Sequence, residues 1–337
     1  MRVKDIAAQV ASLGGMAQKQ QLVRRGARDL DLTVAVRSGK VIRVRNGWYS
    51  TLAEGDPRVL AVRVGGRLTG ISAVQALGGW VLDRHPLHVS LPYNASRMRD
   101  RHDRRRRLRP PRRGLVLHWD DSALGSRGNA SAVGLRDALV RVIVDESRET
   151  AIAALDWALH TGRIEMLDVE ELMLCVPKVK RFGTHWLDPD CESLPESLSR
   201  TRLRVAGHHV VSQVPLETGE RVDLKVAGIV GLEVDGEEHH WDRFEEDRRK
   251  DAQIILEHMH PFRPSARMVF YEWPVVLAAV EAAIAACTPR TSVGNSGTKR
   301  RHPRRKRLGT PVRAPLPEFP TKPAAGMGRG PGTLGKG

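Results

Sequence analysis

The sequence predicts a mixed α and β protein, α+β or α/β in class, built from several parts in series. Three observations predict it. Stretches with apolar residues three and four apart, closed by glycine, are interspersed with stretches of apolar–polar alternation. The length of 337 residues has room for two domains, or three small ones. The charge is unevenly placed: of a net +16, residues 97–113 hold ten Arg and two Asp, a second run, KRRHPRRKR, lies beyond residue 288, and the remainder is close to neutral.

Compact positive runs suit phosphate contacts, because releasing condensed counterions favours binding without reading sequence. Nucleic acid is therefore the expected partner. No stretch has the roughly eighteen consecutive apolar residues of a membrane span, so no membrane is expected. The opening MRVKDIAAQVASLGG has charges and no continuous apolar core, unlike a secretory signal. Cys175, Cys191 and Cys287 are scattered and odd in number, which argues against a disulfide framework or a structural zinc site. A reducing cytoplasm is the expected setting.

Residues 1–52 come first. Val3, Ile6, Val10 and Leu13 share a helical face, ended by Gly14-Gly15. Residues 17–25 predict a second helix, closed by Gly26. Residues 29–38 predict a third, with Leu30, Leu32 and Val34 inward. Val41, Val44 and Trp48 lie among Arg43, Arg45 and Asn46-Gly47, as in a basic β-hairpin. Three short helices and a hairpin outline a winged helix-turn-helix, whose third helix enters a major groove while the wing touches backbone. Arg28, Thr33, Arg37, Lys40, Arg43 and Arg45 are the candidate DNA contacts. The stretch GGMAQKQQLVRRGARDLDLTVAVRSGKVIRVRNGWYS resembles the N-terminal domain of the AbiEi family of antitoxins, through its Gly-Gly turn, the helix ending at Gly26 and RSGKVIRVRNGWY at the wing. The third helix reads LDLTVAV where that family often has a Ser/Thr/Arg-rich start. The resemblance implies promoter-DNA binding and, as a further partner, a cognate toxin protein.

Residues 53–189 predict an α/β linking domain. Residues 59–77 read as a helix, or a strand and a helix, broken at Gly65-Gly66. PLHVSLP and LVLHW read as strands. The arginine run between them ends in RPPRRG, whose prolines forbid a regular helix. Residues 133–144, 150–161 and 163–174 have helical periodicity. His85, His88, His102 and His118 show no metal-ligand spacing and are expected as strand or surface histidines.

Residues 190–287 carry the candidate chemistry. Residues 192–206 predict a helix with Pro195 in its first turn, capped by Ser193 or Leu194, with Leu198, Leu203 and Val205 available for burial. Val210, Val211 and Val214 suggest a strand. Residues 221–226 and 229–235 predict two strands joined at Ala227-Gly228. Alternation puts Asp223 and Lys225 on one face, and Glu233 and Asp235 likewise, with Val222, Leu224, Leu232 and Val234 turned away. A tight antiparallel turn sets Asp223 opposite Glu233. Two carboxylates that close repel unless a cation lies between them, and a hard divalent ion, Mg²⁺ or Mn²⁺, is the natural solution. The Val234 carbonyl is a further oxygen donor, and His239 or His240 follows within reach. Such an ion activates water for phosphodiester hydrolysis. Arg248, Arg249 and Lys250 are candidates to bind the phosphate.

The pattern Asp-x9-Glu-x-Asp resembles that of the PD-(D/E)xK nucleases, with Asp235 where Lys usually stands. More closely, RVDLKVAGIVGLEVDGEEHHWDRFEEDRRKDAQIILE resembles a family related to the very-short-patch-repair (Vsr) endonucleases. The matching residues are Arg221 and Asp223, then Glu233, Asp235 and Gly236, then His240, then Asp247, Arg248 and Lys250, with Glu196 and Gln213 upstream. The resemblance implies a restriction-endonuclease-like mixed sheet flanked by helices, with Asp223 and Glu233 holding metal and Glu196, Asp235 and His240 in the catalytic set. Lys225 or His240 then replaces the missing Lys. The glycine-led strand after the helix is expected at residues 268–271, and a final helix at 277–286. Residues 288–337, rich in Gly, Pro, Lys and Arg, are expected to be a disordered basic tail. The expected function is a metal-dependent DNA endonuclease with a DNA-binding winged helix. The alternative is a DNA-binding regulator or antitoxin whose nuclease-like domain is inactive.

Overall fold

In the first fifty residues, helical faces close on a short sheet. The computed structural model describes residues 3–287 apart from 83, 111–112, 121–127 and 236–243. Helix α1 (Val3–Ser12) is followed by a short strand β1 (Met16–Gln18), helices α2 (Lys19–Arg24) and α3 (Asp29–Arg37), and the hairpin β2 (Ile42–Arg45) and β3 (Trp48–Ser50). The three strands form an antiparallel sheet in the order β1-β3-β2. Ile6, Val10, Leu22, Leu32, Ala35, Val41 and Tyr49 fill the core between them. The inward stripe of α3 differs from the expected one. Leu32 and Ala35 face α1, whereas Leu30 and Val34 are exposed, 68% and 41%. The helix is rotated so that Asp31, rather than Leu30, turns inward. There its carboxylate accepts from the Arg28 N–H at 3.0 Å and caps the helix.

The middle segment alternates helix and strand: α4 (Pro57–Val64), β4 (Arg67–Leu68), α5 (Gly70–Ala76), β5 (Leu87–Pro92), β6 (Leu115–Asp120), α6 (Leu135–Asp145), α7 (Arg148–His160) and α8 (Met166–Cys175). The ambiguous stretch from 59 to 77 is thus helix, strand and helix. β4 pairs antiparallel with β5, and β5 pairs parallel with β6. The largest apolar core lies here, built on Val89, Leu91, Leu139, Ile143, Ile152 and Leu155.

The third segment comprises α9 (Leu194–Val205), β7 (Val210–Pro215), β8 (Arg221–Val226), β9 (Val230–Leu232), α10 (Phe244–Leu256), β10 (His260–Phe262), α11 (Ala266–Tyr271) and α12 (Trp273–Cys287). Its mixed sheet runs β10-β9-β8-β7, antiparallel except for the parallel pair β9–β10. Leu224, Val226, Val230 and Leu232 are wholly buried with Leu203 and Val280, each contributing about 1.5–3 kcal/mol of transfer free energy. Leu198 is buried as expected, but Val205, the last residue of α9, is exposed. Residues 268–271 are helical rather than extended. Ser265 accepts from the Met268 N–H and starts α11. The strand after α10 is instead His260–Phe262, where Pro261 is tolerated because β10 is the sheet edge.

A buried ion pair joins the second and third segments. Asp156 on α7, fully buried, accepts from Arg200 Nη2 at 2.8 Å and Ser197 Oγ at 2.6 Å on α9, and from the Asp188 N–H at 2.8 Å. No helix among the described residues is long and apolar enough to cross a membrane.

Candidate functional site

The site is assembled on β8 and β9. Between them Ala227 and Gly228 both take positive φ, 51° and 74°, the left-handed pair that a tight hairpin turn demands. Leu224 pairs with Leu232 and Val226 with Val230. Continuing that register sets Asp223 opposite Glu233. Two hydrogen bonds fix the relation. The Asp223 N–H donates to Glu233 Oε1 at 3.2 Å, and the Val234 N–H donates to Asp223 Oδ2 at 2.8 Å. Regular pairing of β9 stops at Leu232, before the expected end. Beyond it Glu233 N–H donates to the Phe262 carbonyl and Asp235 N–H to the Pro264 carbonyl.

Glu196 reaches the same place from the first turn of α9. Ser193 caps that helix, accepting from the Glu196 N–H and donating to Glu196 Oε1 at 2.6 Å. Gln213 of β7 donates to Glu196 Oε2 at 3.2 Å. Gln213 stands opposite Asp223 in register and holds φ at 49°, a left-handed conformation inside a strand. Such backbone costs of order 1–3 kcal/mol and is retained where the surroundings over-determine it.

A cation comes from α10. Lys250 Nζ donates to Glu233 Oε2 at 2.5 Å. Arg263, just past β10, fans across the remaining acids: its Nη1 lies 3.8 Å from Glu233, 3.4 Å from Asp235 and 3.2 Å from Asp247, and its Nε bonds Asp251 at 2.6 Å. Lys250 thus sets an ammonium against Glu233 from a helix. Lys225 lies one pleat along β8 from Asp223, opposite Gly231.

The carboxyl groups of the cluster are shifted by their surroundings. Burial, and then the Asp223 charge, push the Glu233 carboxyl up to about 7, against Lys250. Burial and Asp223 likewise raise Glu196. Burial raises Asp223, despite the Val234 N–H and Lys250. Burial, first in each case, lifts buried Glu196 and Glu233 and half-buried Asp223 above the ordinary carboxylate range.

Of the expected site residues, Glu196, Asp223, Glu233 and Asp235 come together, with Lys250. His239, His240 and Trp241 lie outside the described residues, as does the tail beyond 287. Sequence reasoning placed Gln213 and Lys250 with the nuclease-like residues, Lys250 as a phosphate contact rather than a partner of Glu233, and it missed Arg263. Arg263 was hidden because the strand preceding it was expected elsewhere.

Of the proposed DNA contacts, Arg28, Thr33, Arg37, Lys40 and Arg43 are exposed, though Arg28 also pairs with Asp31 and Arg43 with Asn46. Arg45 differs. It is half-buried against α4, with Nη1 3.4 Å from the Val62 carbonyl, and Gly65 leaves room for it. Arg248 is exposed on α10. His88 and His118 are strand histidines, as expected, on β5 and β6; both are buried and meet Asp145.

Compared with models of known protein families and with the sequences of curated proteins, the chain matches none.

Proposed function

We propose that the chain is a metal-dependent DNA endonuclease, with the cluster on β8 and β9 hydrolysing phosphodiesters and the first fifty residues acting as a DNA-binding winged helix. The observation that carries the reading is the ion pair of Lys250 with Glu233 directly across the hairpin from Asp223. It makes an Asp–Glu–Lys constellation, the side-chain set of the PD-(D/E)xK nucleases, with the Lys drawn from a helix. The mixed sheet with helices packed on it agrees with a restriction-endonuclease-like fold related to the Vsr enzymes. Helices α1–α3 followed by the β2–β3 hairpin agree with the winged-helix reading and with the AbiEi resemblance.

The donor set suits a hard divalent cation: Asp223 and Glu233, with Glu196 beside them, offer only oxygen. Mg²⁺ or Mn²⁺ held there would make a bound water more acidic and neutralise phosphate charge. Lys250 holds Glu233 in place and has protons to donate to a departing oxygen. Arg263 fixes Asp235 at the rim. Gln213 and Ser193 orient Glu196. Arg37, Lys40 and Arg43 supply phosphate contacts on the exposed side of α3 and β2, and Arg248 does so near the cluster.

A second reading is favoured by one observation. Among the described residues, no three carboxylate oxygens of this cluster converge closely enough to hold an ion, and Glu233 is already occupied by Lys250 and the Asp223 N–H. Under it the chain is a DNA-binding regulator or antitoxin, partnered by a toxin, with an inactive nuclease-like domain. Plasmid nicking separates the two. The first reading expects nicking in Mg²⁺ or Mn²⁺ that Asp223→Ala abolishes while DNA binding persists. Wild-type protein that binds DNA but never cuts it in either ion overturns it.

A further inference from the structure

We propose that His88, His118 and Asp145 form a separate binding site for a single Zn²⁺-class ion, supplying three of its four ligands. The strands bring the histidines together. β5 and β6 run parallel with His88 paired to Val116 and Ser90 to His118, so the two imidazoles sit on one face, one pleat apart. The last residue of α6, Asp145, closes over them. His88 and His118 are 3% and 9% exposed.

The distances decide what the cluster is for. His118 Nε2 lies 3.3 Å from His88 Nδ1, and Asp145 Oδ2 lies 3.6 Å from His88 Nδ1 and 3.5 Å from His118 Nε2. Both contacts to the carboxylate exceed good hydrogen-bond lengths of about 2.7–3.2 Å. All three match the edges of a tetrahedron, which are about 3.3–3.6 Å when the central ion sits 2.0–2.2 Å from N and O ligands. An octahedral ion at the same bond lengths, as in a two-histidine, one-carboxylate iron site, needs edges of about 2.8–3.1 Å. The triangle therefore favours a tetrahedral ion, and the N₂O donor set suits Zn²⁺.

The surroundings match that role. The far nitrogen of His88, Nε2, faces Glu146 Oε1 at 3.7 Å, and the other oxygen of Asp145 faces Arg141 at 3.7 Å. At that length both are charge contacts rather than hydrogen bonds, and they set the electrostatic surroundings of the imidazole and the carboxylate. Gly70, at φ +52°, borders His88 Nδ1: a Cβ there would stand 3.3 Å from that nitrogen and 3.1 Å from Arg141 Cγ. Glycine keeps that flank of the His88 ring clear.

The test is metal content and Co²⁺ spectroscopy on the full chain, stripped with EDTA and reloaded. One Zn²⁺ per chain is expected, displaced by Co²⁺ with the strong visible absorption of four-coordinate cobalt. Asp145→Asn and His118→Gln should each weaken Co²⁺ binding more than about 100-fold, and Glu146→Gln about 10-fold, the scale of an outer partner. Glu54→Gln, an exposed carboxylate outside both clusters, should leave the Co²⁺ signal unchanged. Circular dichroism checks that each variant folds; if His118→Gln does not, Asp145→Asn alone decides. Folded wild type without stoichiometric Zn²⁺, a weak six-coordinate cobalt spectrum, or a folded Asp145→Asn variant that binds like wild type overturns the proposal.

Discussion

Replacing Glu233 with Gln should change how stability depends on pH. Burial and the Asp223 charge raise the Glu233 carboxyl from 4.5 to about 7. Its folded value lies above its unfolded one, so the folded chain binds more protons between those values, and stability falls as pH rises through that window. At about 1.4 kcal/mol per pH unit, ionising Glu233 costs roughly 3 kcal/mol by pH 8. Gln keeps the shape and removes the titration. It also leaves the Lys250 ammonium, 19% exposed, with a weaker partner, so the net gain at pH 8 should be about 1–2 kcal/mol, with little change at pH 5. Urea denaturation in EDTA at both pH values measures this. Wild type should lose more stability than Glu233→Gln between pH 5 and pH 8. Equal losses would refute the reasoning, because the buried carboxyl would not be titrating where its surroundings require.

Other perturbations test the frame around the site. Arg200→Met strands the Asp156 carboxylate in the interior and should cost about 3–5 kcal/mol, read from chemical denaturation. Gln213→Gly relieves the left-handed backbone, gaining about 1 kcal/mol, but frees Glu196 and should lower the nicking rate; a destabilised protein of unchanged rate would contradict this. Substituting Ala for Arg37, Lys40 and Arg43 together should weaken DNA binding and flatten its log–log salt dependence by roughly one for each phosphate no longer neutralised. Arg45→Ala should instead lower thermal stability and leave that slope alone, since Arg45 packs on α4.

Strand β8, its turn and the cap of α9 are legible in the sequence because each is written locally. Alternation marks Val222 and Leu224 as buried, Ala227-Gly228 marks the turn, and Ser193 precedes Pro195 and Glu196 in the first turn. From these alone Asp223 falls opposite Glu233. Lys250 is harder to assign, because its ammonium meets Glu233 across 17 residues and a change of element. The edge strand His260–Phe262 is three residues long and contains a proline, so it carries no alternation to read. Spacing alone misleads on the stripe of α3, because Leu30 and Val34 have the right interval for burial but lie opposite the side that α1 covers. His88 and His118 are 30 residues apart. Only the parallel pairing of β5 with β6 makes them neighbours, and no spacing rule anticipates that.

The central claim is that the Asp223–Glu233–Lys250 cluster cuts DNA. Its most direct test is the single-turnover nicking rate of supercoiled plasmid in Mg²⁺ or Mn²⁺, for wild type and Lys250→Met at equal DNA occupancy. The account predicts that wild type nicks and that Lys250→Met loses at least about 100-fold in rate, the scale of a lost proton donor. A Lys250→Met variant that nicks as fast as wild type would contradict it.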